Sequence, residues 1–589
     1  MTGHDLVMKI LLSAGLSLAL GLIFVPLVIV CARKIGFVAK PRADRWHSRP
    51  TALMGGIGIF AASVGAATIA VPDISGLTGV GVAAFLIFGV GLADDVLHLR
   101  PQYKLLAQII AGCVILASNI HFGFSGSPYI TLPLTLLFIV GITNAMNLLD
   151  NMDGLAAGIS LVSALVLCAA AFLIGNPVAA ICAGSIAGAS LAFLVFNFHP
   201  AKVFMGDCGS MYLGLILSVL AVHTSKSATT GLAAAVLFPS IALAIPIFDT
   251  VFVSVMRKLN GRAISQGGCD HTSHRLVKLG LTEPQAVILL YGASLIVGAC
   301  GIAAMRFHTP YLYIAGSLAA ALLLVFGRFL AQVEVYPISQ AAQAHTSGPG
   351  VILAAQRLYK RHTATALMDV LLAFAAYVLA TSIGSVEQTG PRLIVGVPWA
   401  VIGAATGLGV AGVYRGVWHY LQAEDIARFV GGVAVAGLIA FVGLTLLSFE
   451  TLSAVRIAIL YSAVLLAFLI AARGCYKLLT MALSARKQPL LVGERWLVVA
   501  RAQSCDGLLK RICDRYGSQT RVAGIVTSVA MVDATAQLGG MPLLGSVDGF
   551  ESVLTQVEPS AVLVTSRDAC DNVEETCRRK GVPCIVAVE

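Results

Sequence analysis

Asn144-Ala-Met-Asn-Leu-Leu-Asp-Asn-Met-Asp-Gly154 closes an apolar run that begins near position 131. Hydrocarbon does not ordinarily hold such a stretch. An amide or carboxylate without a partner costs several kcal/mol in a bilayer, so polar side chains at this depth mark a site. On a helix, Asn144, Asn147 and Asp150 recur every third residue and sweep one face, with Ala145, Leu148 and Leu149 between them. Gly154 then supplies a helix stop. A polar helix end that merely left the membrane would not need two amides and two acids in one stripe.

The rest of the chain supplies the membrane. Of its 589 residues, 58% are hydrophobic and only 12% charged, with a mean hydropathy of +0.89. That excludes a soluble globular protein and predicts a polytopic one. The first apolar run, Ile10 to Val30, is long enough to span and lacks a small-residue cleavage pattern, so it reads as a span and not as a signal peptide. The net charge of +10 is spread over loops, which excludes nucleic-acid binding and fits positive-inside topology. The 13 cysteines are scattered without a CxxC pair, and point to neither disulfides nor a zinc site.

Spanning-length runs fall near 8–31, 52–72, 77–93, 105–120, 131–149, 155–174, 178–198, 211–224, 229–255, 285–305 and 310–327, then near 364–384, 394–413, 427–447 and 453–472. If the first ends inside, Arg33, Lys34, Arg42, Arg100, Lys104, Lys202, Arg257, Arg275, Arg328, Arg361 and Arg415 share that side, against Lys9, Lys226, Arg306, Arg392 and Arg456 opposite. The asymmetry predicts an outside amino terminus, and an odd number of spans puts everything after Cys475 in the cytoplasm. The expected fold is a polytopic α-helical membrane protein of about 11 + 4 transmembrane helices with a small α/β domain. Its divisions fall at 1–330, a linker 331–363, a four-helix membrane region 364–485 and the α/β domain 486–589.

On the inside lie Pro41 to Gly56, Asp94 to Lys104, Asn144 to Asp153, Asn197 to Ser210 and Arg257 to Arg275. Adjacent carboxylates at Asp94 and Asp95 repel unless a cation or a shared proton intervenes, and a divalent metal is the simplest relief. Phe204-Met-Gly-Asp-Cys-Gly-Ser210 sets Asp207 between glycines, a turn able to bring a carboxylate to an ion or a phosphate. Such oxygen-rich ligation suits Mg²⁺. Asp270, His271, His274 and Arg275 offer cationic donors suited to a diphosphate.

These residues resemble the polyprenyl-phosphate N-acetylhexosamine-1-phosphate transferases. The resemblance covers about residues 8–327. It rests on Ala93-Asp94-Asp95 with Lys104, Asn144 to Gly154, Phe196-Asn197-Phe198, Phe204 to Ser210, and Asp249-Thr250 with Asp270-His-Thr-Ser-His-Arg275. It implies attack of a polyprenyl (undecaprenyl) phosphate on the β-phosphate of a UDP-N-acetylhexosamine, with release of UMP. Such a transfer needs charge masking and in-line positioning more than covalent help. By the same resemblance Asp207 holds Mg²⁺ (or Mn²⁺), and Asp94 and Asp95 bind or activate the lipid phosphate. Asp150, Asp153, Asn144, Asn147, Asn197 and Lys104 serve the substrates, with His271, His274 and Arg275 on the diphosphate. An ionised phosphate monoester leaves a general base dispensable. Where relatives carry a run of consecutive histidines this chain has His271-Thr272-Ser273-His274, a spacing within the family's variation that weakens a role assigned to either one. The rival readings are a transporter with broken helices and a scaffold for sugar-modifying enzymes.

The second half resembles another group. Tyr414-Arg-Gly-Val-Trp-His-Tyr420 and Glu424-Asp425-Ile426 are similar to the membrane region of nucleotide-sugar 4,6-dehydratases. The β-type runs Trp496–Ala500, Val522–Val526, Ala561–Thr565 and Cys584–Val588 are similar to the Rossmann-like module that follows it, without the dehydratase catalytic domain. The first βα turn, Ala500-Arg-Ala-Gln-Ser504, lacks the glycines a dinucleotide needs, so the module is expected to bind no dinucleotide and to serve regulation or a homodimer.

Overall fold

The computed structural model describes residues 2–586 apart from 40–50, 72–74, 124–126, 229–231, 260–261, 264–267, 269, 308, 332, 334, 336–349, 385–390, 416–422, 448, 485–494, 501–520, 528–536, 539–540, 558, 560, 566–569 and 581. Several expectations thus lie outside the described residues: most of the Pro41 to Gly56 loop, the greater part of the linker, Gly416 to Tyr420, and the βα turn after Ala500. The chain divides into two compact units, Met1–Leu479 and Thr480–Glu589.

The first unit is helical. It opens with α1 (Gly3–Ile35), α2 (Gly56–Ala70), α3 (Thr78–Leu97), α4 (Pro101–Ala117), α5 (Pro128–Leu149), α6 (Leu155–Leu173), α7 (Pro177–Asn197) and α8 (Gly206–Ala228). Proline at the first helical position, where no N–H is missed, starts α4, α5 and α7. A Thr2/Asp5 capping box starts α1 and Gly36 in the left-handed region ends it. Between α1 and α2 a two-residue pair of strands, β1 (Val38–Ala39) and β2 (Thr51–Ala52), closes the loop antiparallel. Ser13 and Ser17 of α1 donate to Ile181 O and Ser185 O of α7, so small polar residues lace that helix seam.

Next come α9 (Leu232–Ala242), α10 (Ala244–Leu259), the short α11 (Thr272–Lys278), α12 (Glu283–Phe307) and α13 (Thr309–Leu330). The final set is α14 (Gly350–Gly384), α15 (Pro391–Val410), α16 (Ala423–Leu446) and α17 (Thr451–Ser484). Ile314 of α13 packs with Ala375 and Val378 of α14, and the Arg328 guanidinium lies 5.9 Å from the Tyr476 ring centroid. Within the second set a buried Arg473–Asp369 pair is bidentate, at 2.5 and 2.8 Å.

Among the described residues eleven helices are long and apolar enough to cross a membrane, which makes this a multi-pass membrane protein. Gly56–Ala70, Pro101–Ala117 and Val395–Val410 are apolar but shorter. The expected single span at 229–255 needs correction: its two halves, Ala235–Ala242 and Ala244–Leu259, meet at 84°. Hydropathy reports how apolar a run is and is blind to a bend.

The second unit holds a six-stranded sheet in the order β5-β6-β4-β3-β7-β8, from β3 (Arg495–Ala500), β4 (Arg521–Thr527), β5 (Gln537–Leu538), β6 (Met541–Ser546), β7 (Ala561–Val564) and β8 (Cys584–Val586). All its pairings are parallel except β5 with β6. Leu497, Val499, Val526, Val562 and Val564 pack against α18 (Phe550–Val557) and α19 (Cys570–Lys580) through Phe550, Val553, Leu554, Val573 and Cys577. The strand β6 escaped the sequence reading because Pro542 and Gly545 interrupt it.

Candidate active site

The acids meet where α3 crosses the start of α8. Gly91 makes the crossing possible: a Cβ there would stand 2.6 Å from Cys208 Cα and 2.7 Å from Asp207 O. One turn further along α3, Asp95 Oδ1 accepts from Asp207 N at 2.7 Å and Oδ2 from Cys208 N at 3.1 Å. A carboxylate thus satisfies two of the open N–H groups at the α8 amino terminus, where the helix dipole also favours it. Gly206, at φ 75°, lets the chain turn in beneath it; a Cβ would come 2.6 Å from Asp95 Oδ2. Asp95, expected on the lipid phosphate, commits both oxygens to holding Asp207 in place.

Lys104 of α4 bridges the other two acids, with Nζ 3.1 Å from Asp94 Oδ2 and 2.9 Å from Asp207 Oδ2. Asp94 Oδ1 is buried and has no hydrogen-bond partner among the described residues. A buried anionic oxygen without a donor, beside a second carboxylate already sharing one lysine, fits a hard divalent cation. The residues present therefore suit a Mg²⁺ or Mn²⁺ ion, with Asp94 and Asp207 to hold it.

Asp150 caps the carboxyl end of α5, near enough to Asp207 and Asp95 to feel their charge. Burial, followed by the charges of Asp207, Asp95 and Asp153, pushes its carboxyl up to about 7. Among the described residues its side chain has no hydrogen bond or ion pair. The two amides before it are used. Asn144 Nδ2 donates to Gln108 Oε1 at 2.6 Å, Gln108 Nε2 returns a bond to Asn144 Oδ1 at 3.3 Å, and Asn147 Nδ2 donates to Ser210 Oγ at 2.9 Å. Gln108 sits one turn from Lys104 on α4, and the sequence reading missed it. An amide inside the apolar run 105–120 was the available signal.

The turn after α5 is braced from three sides. Asn197 is buried, accepting from Gly154 N at 3.0 Å and donating to Val203 O at 2.8 Å. Asn151 Oδ1 accepts from Ser273 Oγ at 2.8 Å, which joins the turn to α11. Asp153 Oδ2 accepts from Ala201 N at 2.9 Å. Asn197, expected to bind substrate, thus spends its amide on backbone.

Around α11, Arg257 grips Asp270 with two bonds of 2.8 and 2.7 Å and closes the loop between them. Asp249 Oδ2 lies 2.7 Å from His271 Nδ1, while its Oδ1 accepts from Thr272 N and Oγ1 at 2.8 and 2.7 Å. With Asp249 as acceptor, Nδ1 of His271 is the donor. His274 corrects the expectation of a cationic donor: burial, then His271, pushes it down to about 4, so it is neutral near pH 7. Arg275 is likewise buried. It donates to Asp270 O at 3.0 Å, Leu330 O at 3.0 Å and Val333 O at 2.8 Å, a strut between α11 and the end of α13.

Residues 77–225, which contain α3 to α7, most of α8 and the acids Asp94, Asp95, Asp150 and Asp207, match the family model described as glycosyl transferase family 4. The chain is 35% identical over 293 residues to a probable undecaprenyl-phosphate N-acetylglucosaminyl 1-phosphate transferase of Bacillus subtilis, covering 48% of this chain and 81% of that protein. It is 33% identical over 352 residues to the decaprenyl-phosphate N-acetylglucosaminephosphotransferase of Mycolicibacterium smegmatis, covering 52% and 85%. It is 31% identical over 320 residues to a phospho-N-acetylmuramoyl-pentapeptide-transferase of Heliobacterium modesticaldum, covering 48% and 94%. On this evidence the chain belongs to the polyprenyl-phosphate hexosamine-1-phosphate transferase family.

Proposed function

We propose that this protein transfers an N-acetylhexosamine-1-phosphate from a UDP-sugar to polyprenyl phosphate, releasing UMP and starting a lipid-linked glycan for cell-envelope polysaccharide. The observation that carries the reading is an imbalance of charge: the charges of Asp207 and Asp95 bear on Asp150, Asp94 stands beside Asp207, and Lys104, bound to Asp94 and Asp207, is the one cation paired with these acids among the described residues. Two phosphates can react there only if positive charge is added. In the reaction an oxygen of the lipid phosphate forms a bond to the β-phosphorus, the bond from that phosphorus to the bridging oxygen breaks, and UMP leaves. A bound Mg²⁺ (or Mn²⁺) supplies charge stabilisation.

The protein's own groups do the remainder. Asp207, clamped by Asp95, and Asp94 would hold the ion, and Lys104, which bridges the same two acids, would meet a phosphate. Asp150 and Asp153 face the nucleotide sugar, with Asn144 and Asn147 behind them. Asp150, raised to about 7, is the acid best placed to exchange a proton near neutrality. The site faces the cytoplasm of a bacterial inner membrane. The transferase region ends near residue 330, and the later membrane region and Rossmann-like domain form an assembly module for a homodimer. Purified protein given a panel of UDP-N-acetylhexosamines and polyprenyl phosphate will release UMP with at least one sugar; no release with any of them would refute the assignment. A truncation ending near Leu330 that kept its oligomeric state would remove the assembly role.

A further inference from the structure

Beyond the Lys104 cluster, three ligand-capable side chains converge from separate segments: Asp153 in the α5–α6 turn, His199 just after α7, and Glu283 at the first residue of α12. His199 Nδ1 stands 3.3 Å from Asp153 Oδ2 and 3.3 Å from Glu283 Oε2. The ligand atoms of all three lie within 4.8 Å of one another. Asp153 and Glu283 have no lysine or arginine partner among the described residues. Two carboxylates so close repel, and a single N–H on Nδ1 cannot point along both contacts. Both distances exceed the roughly 2.7–2.9 Å of a charge-assisted N–H···O bond.

The spacing fits an ion better. Bonds of about 2.0–2.2 Å in a tetrahedral arrangement set neighbouring ligand atoms roughly 3.3–3.6 Å apart. One imidazole with two carboxylates selects a borderline metal over Mg²⁺, which prefers oxygen alone and keeps its waters. Ala201 N, on Asp153 Oδ2 at 2.9 Å, provides the outer bond that orients one ligand. We propose that Asp153, His199 and Glu283 form a second metal site, selective for a divalent ion of the zinc and cobalt class. Resting on the reading that Asp153 meets the nucleotide sugar, occupation of this site excludes that substrate, so such ions inhibit the enzyme while Mg²⁺ supports it.

The test uses the full chain, free of any histidine tag, in detergent with excess Mg²⁺. Titrated Co²⁺ gives a saturable visible absorption of one equivalent, and Zn²⁺ displaces it. His199→Gln weakens binding about 100-fold and Glu283→Gln about 10-fold or more, whereas Asp207→Asn leaves the absorption unchanged. No saturable signal in the wild type, or a signal untouched by His199→Gln in a protein with the wild-type melting temperature, would overturn the site. In turnover assays Zn²⁺ raises the KM for UDP-sugar with kcat unchanged, and His199→Gln abolishes that sensitivity. Binding without a change in KM would overturn the inhibition. Because absorption is read without turnover, inactivity with every UDP-sugar would defeat the proposed function and leave this test in force.

Discussion

Two of the charge clusters among the helices of the first unit are balanced differently. In the second set of helices Asp369 and Arg473 are matched one for one, buried and bidentate. In the first set, Lys104 is shared between Asp94 and Asp207, Asp95 is consumed by the α8 amino terminus, Asp150 has no partner among the described residues, and one oxygen of Asp94 is orphaned. Burial is costly for both clusters. A matched pair neutralises its own charge, so it serves packing. A cluster with surplus negative charge is complete only when cations and substrate arrive, so it serves chemistry.

The sharpest way to break this contrast is Asp207→Asn. It removes charge from the unbalanced cluster but leaves the turn and the Asp95 bonds to backbone N–H in place. Turnover should fall by about three orders of magnitude, since one ligand supplies several kcal/mol of transition-state stabilisation. The melting temperature should hold. Near wild-type UMP release at low Mg²⁺ would show that the surplus charge is not the working part.

Arg473→Met should do the reverse. It leaves Asp369 buried and unpaired, at a cost of about 3–5 kcal/mol, and the double variant Asp369→Leu with Arg473→Met should recover most of the loss. Thermal unfolding in detergent measures both, and turnover per folded molecule is expected to stay level. If the single variant kept its melting temperature and lost turnover, the matched pair would belong to a site and the distinction would fail.

Much of this contrast was legible in the sequence and part of it was not. Hydropathy located the helical runs because a bilayer filters composition, and polar residues in apolar context pointed to Asp94, Asp150 and Asp207. What it could not separate was a side chain that binds from one that braces. Asp95, Asn197 and Arg275 carry the same kind of polar signal as their neighbours, yet their partners are backbone groups brought in from distant elements. Gln108 and Glu283 were passed over for the converse reason: each sits alone in or beside an apolar run, and its partner lies 36 or more positions away. The bend at 229–255 was hidden because a turn between two apolar helices leaves composition unchanged.

Titration sharpens the comparison further. Asp150 is raised to about 7, so it is protonated below that pH and ionised above it. If its ionised form is required, kcat/KM climbs with pH through the neutral range and levels off above it. A divalent cation among the acids favours the ionised form, so saturating Mg²⁺ should move the limb to lower pH. His274, down at about 4, contributes no limb near neutrality. Profiles at low and saturating Mg²⁺ decide the matter: a limb that stays fixed would mean that Asp150 does not sense the cluster.

The smallest effect tests the border between bracing and chemistry, at Gln108. This side chain is 2% exposed and its amide is matched to Asn144 in both directions. It resembles the Asp369–Arg473 pair in being satisfied, yet it stands one turn from Lys104 on α4 and positions the first polar residue of the stripe that ends at Asp150. Gln108→Leu removes the donor to Asn144 Oδ1 and the acceptor for its Nδ2, while Val140 O at 2.9 Å keeps one bond. The loss is two ordinary hydrogen bonds, about 0.5–1.5 kcal/mol each and about 1–3 kcal/mol together, hence at most roughly a five- to hundredfold drop in kcat/KM. If Asn144 contacts the nucleotide sugar, the drop appears in KM for that substrate and leaves KM for polyprenyl phosphate alone. Gln108→Glu, which keeps an acceptor for Asn144 Nδ2, should lie between the two. An equal change in both KM values, or a fall in melting temperature with kinetics intact, would place Gln108 with the matched pair and confine the site to its unbalanced acids.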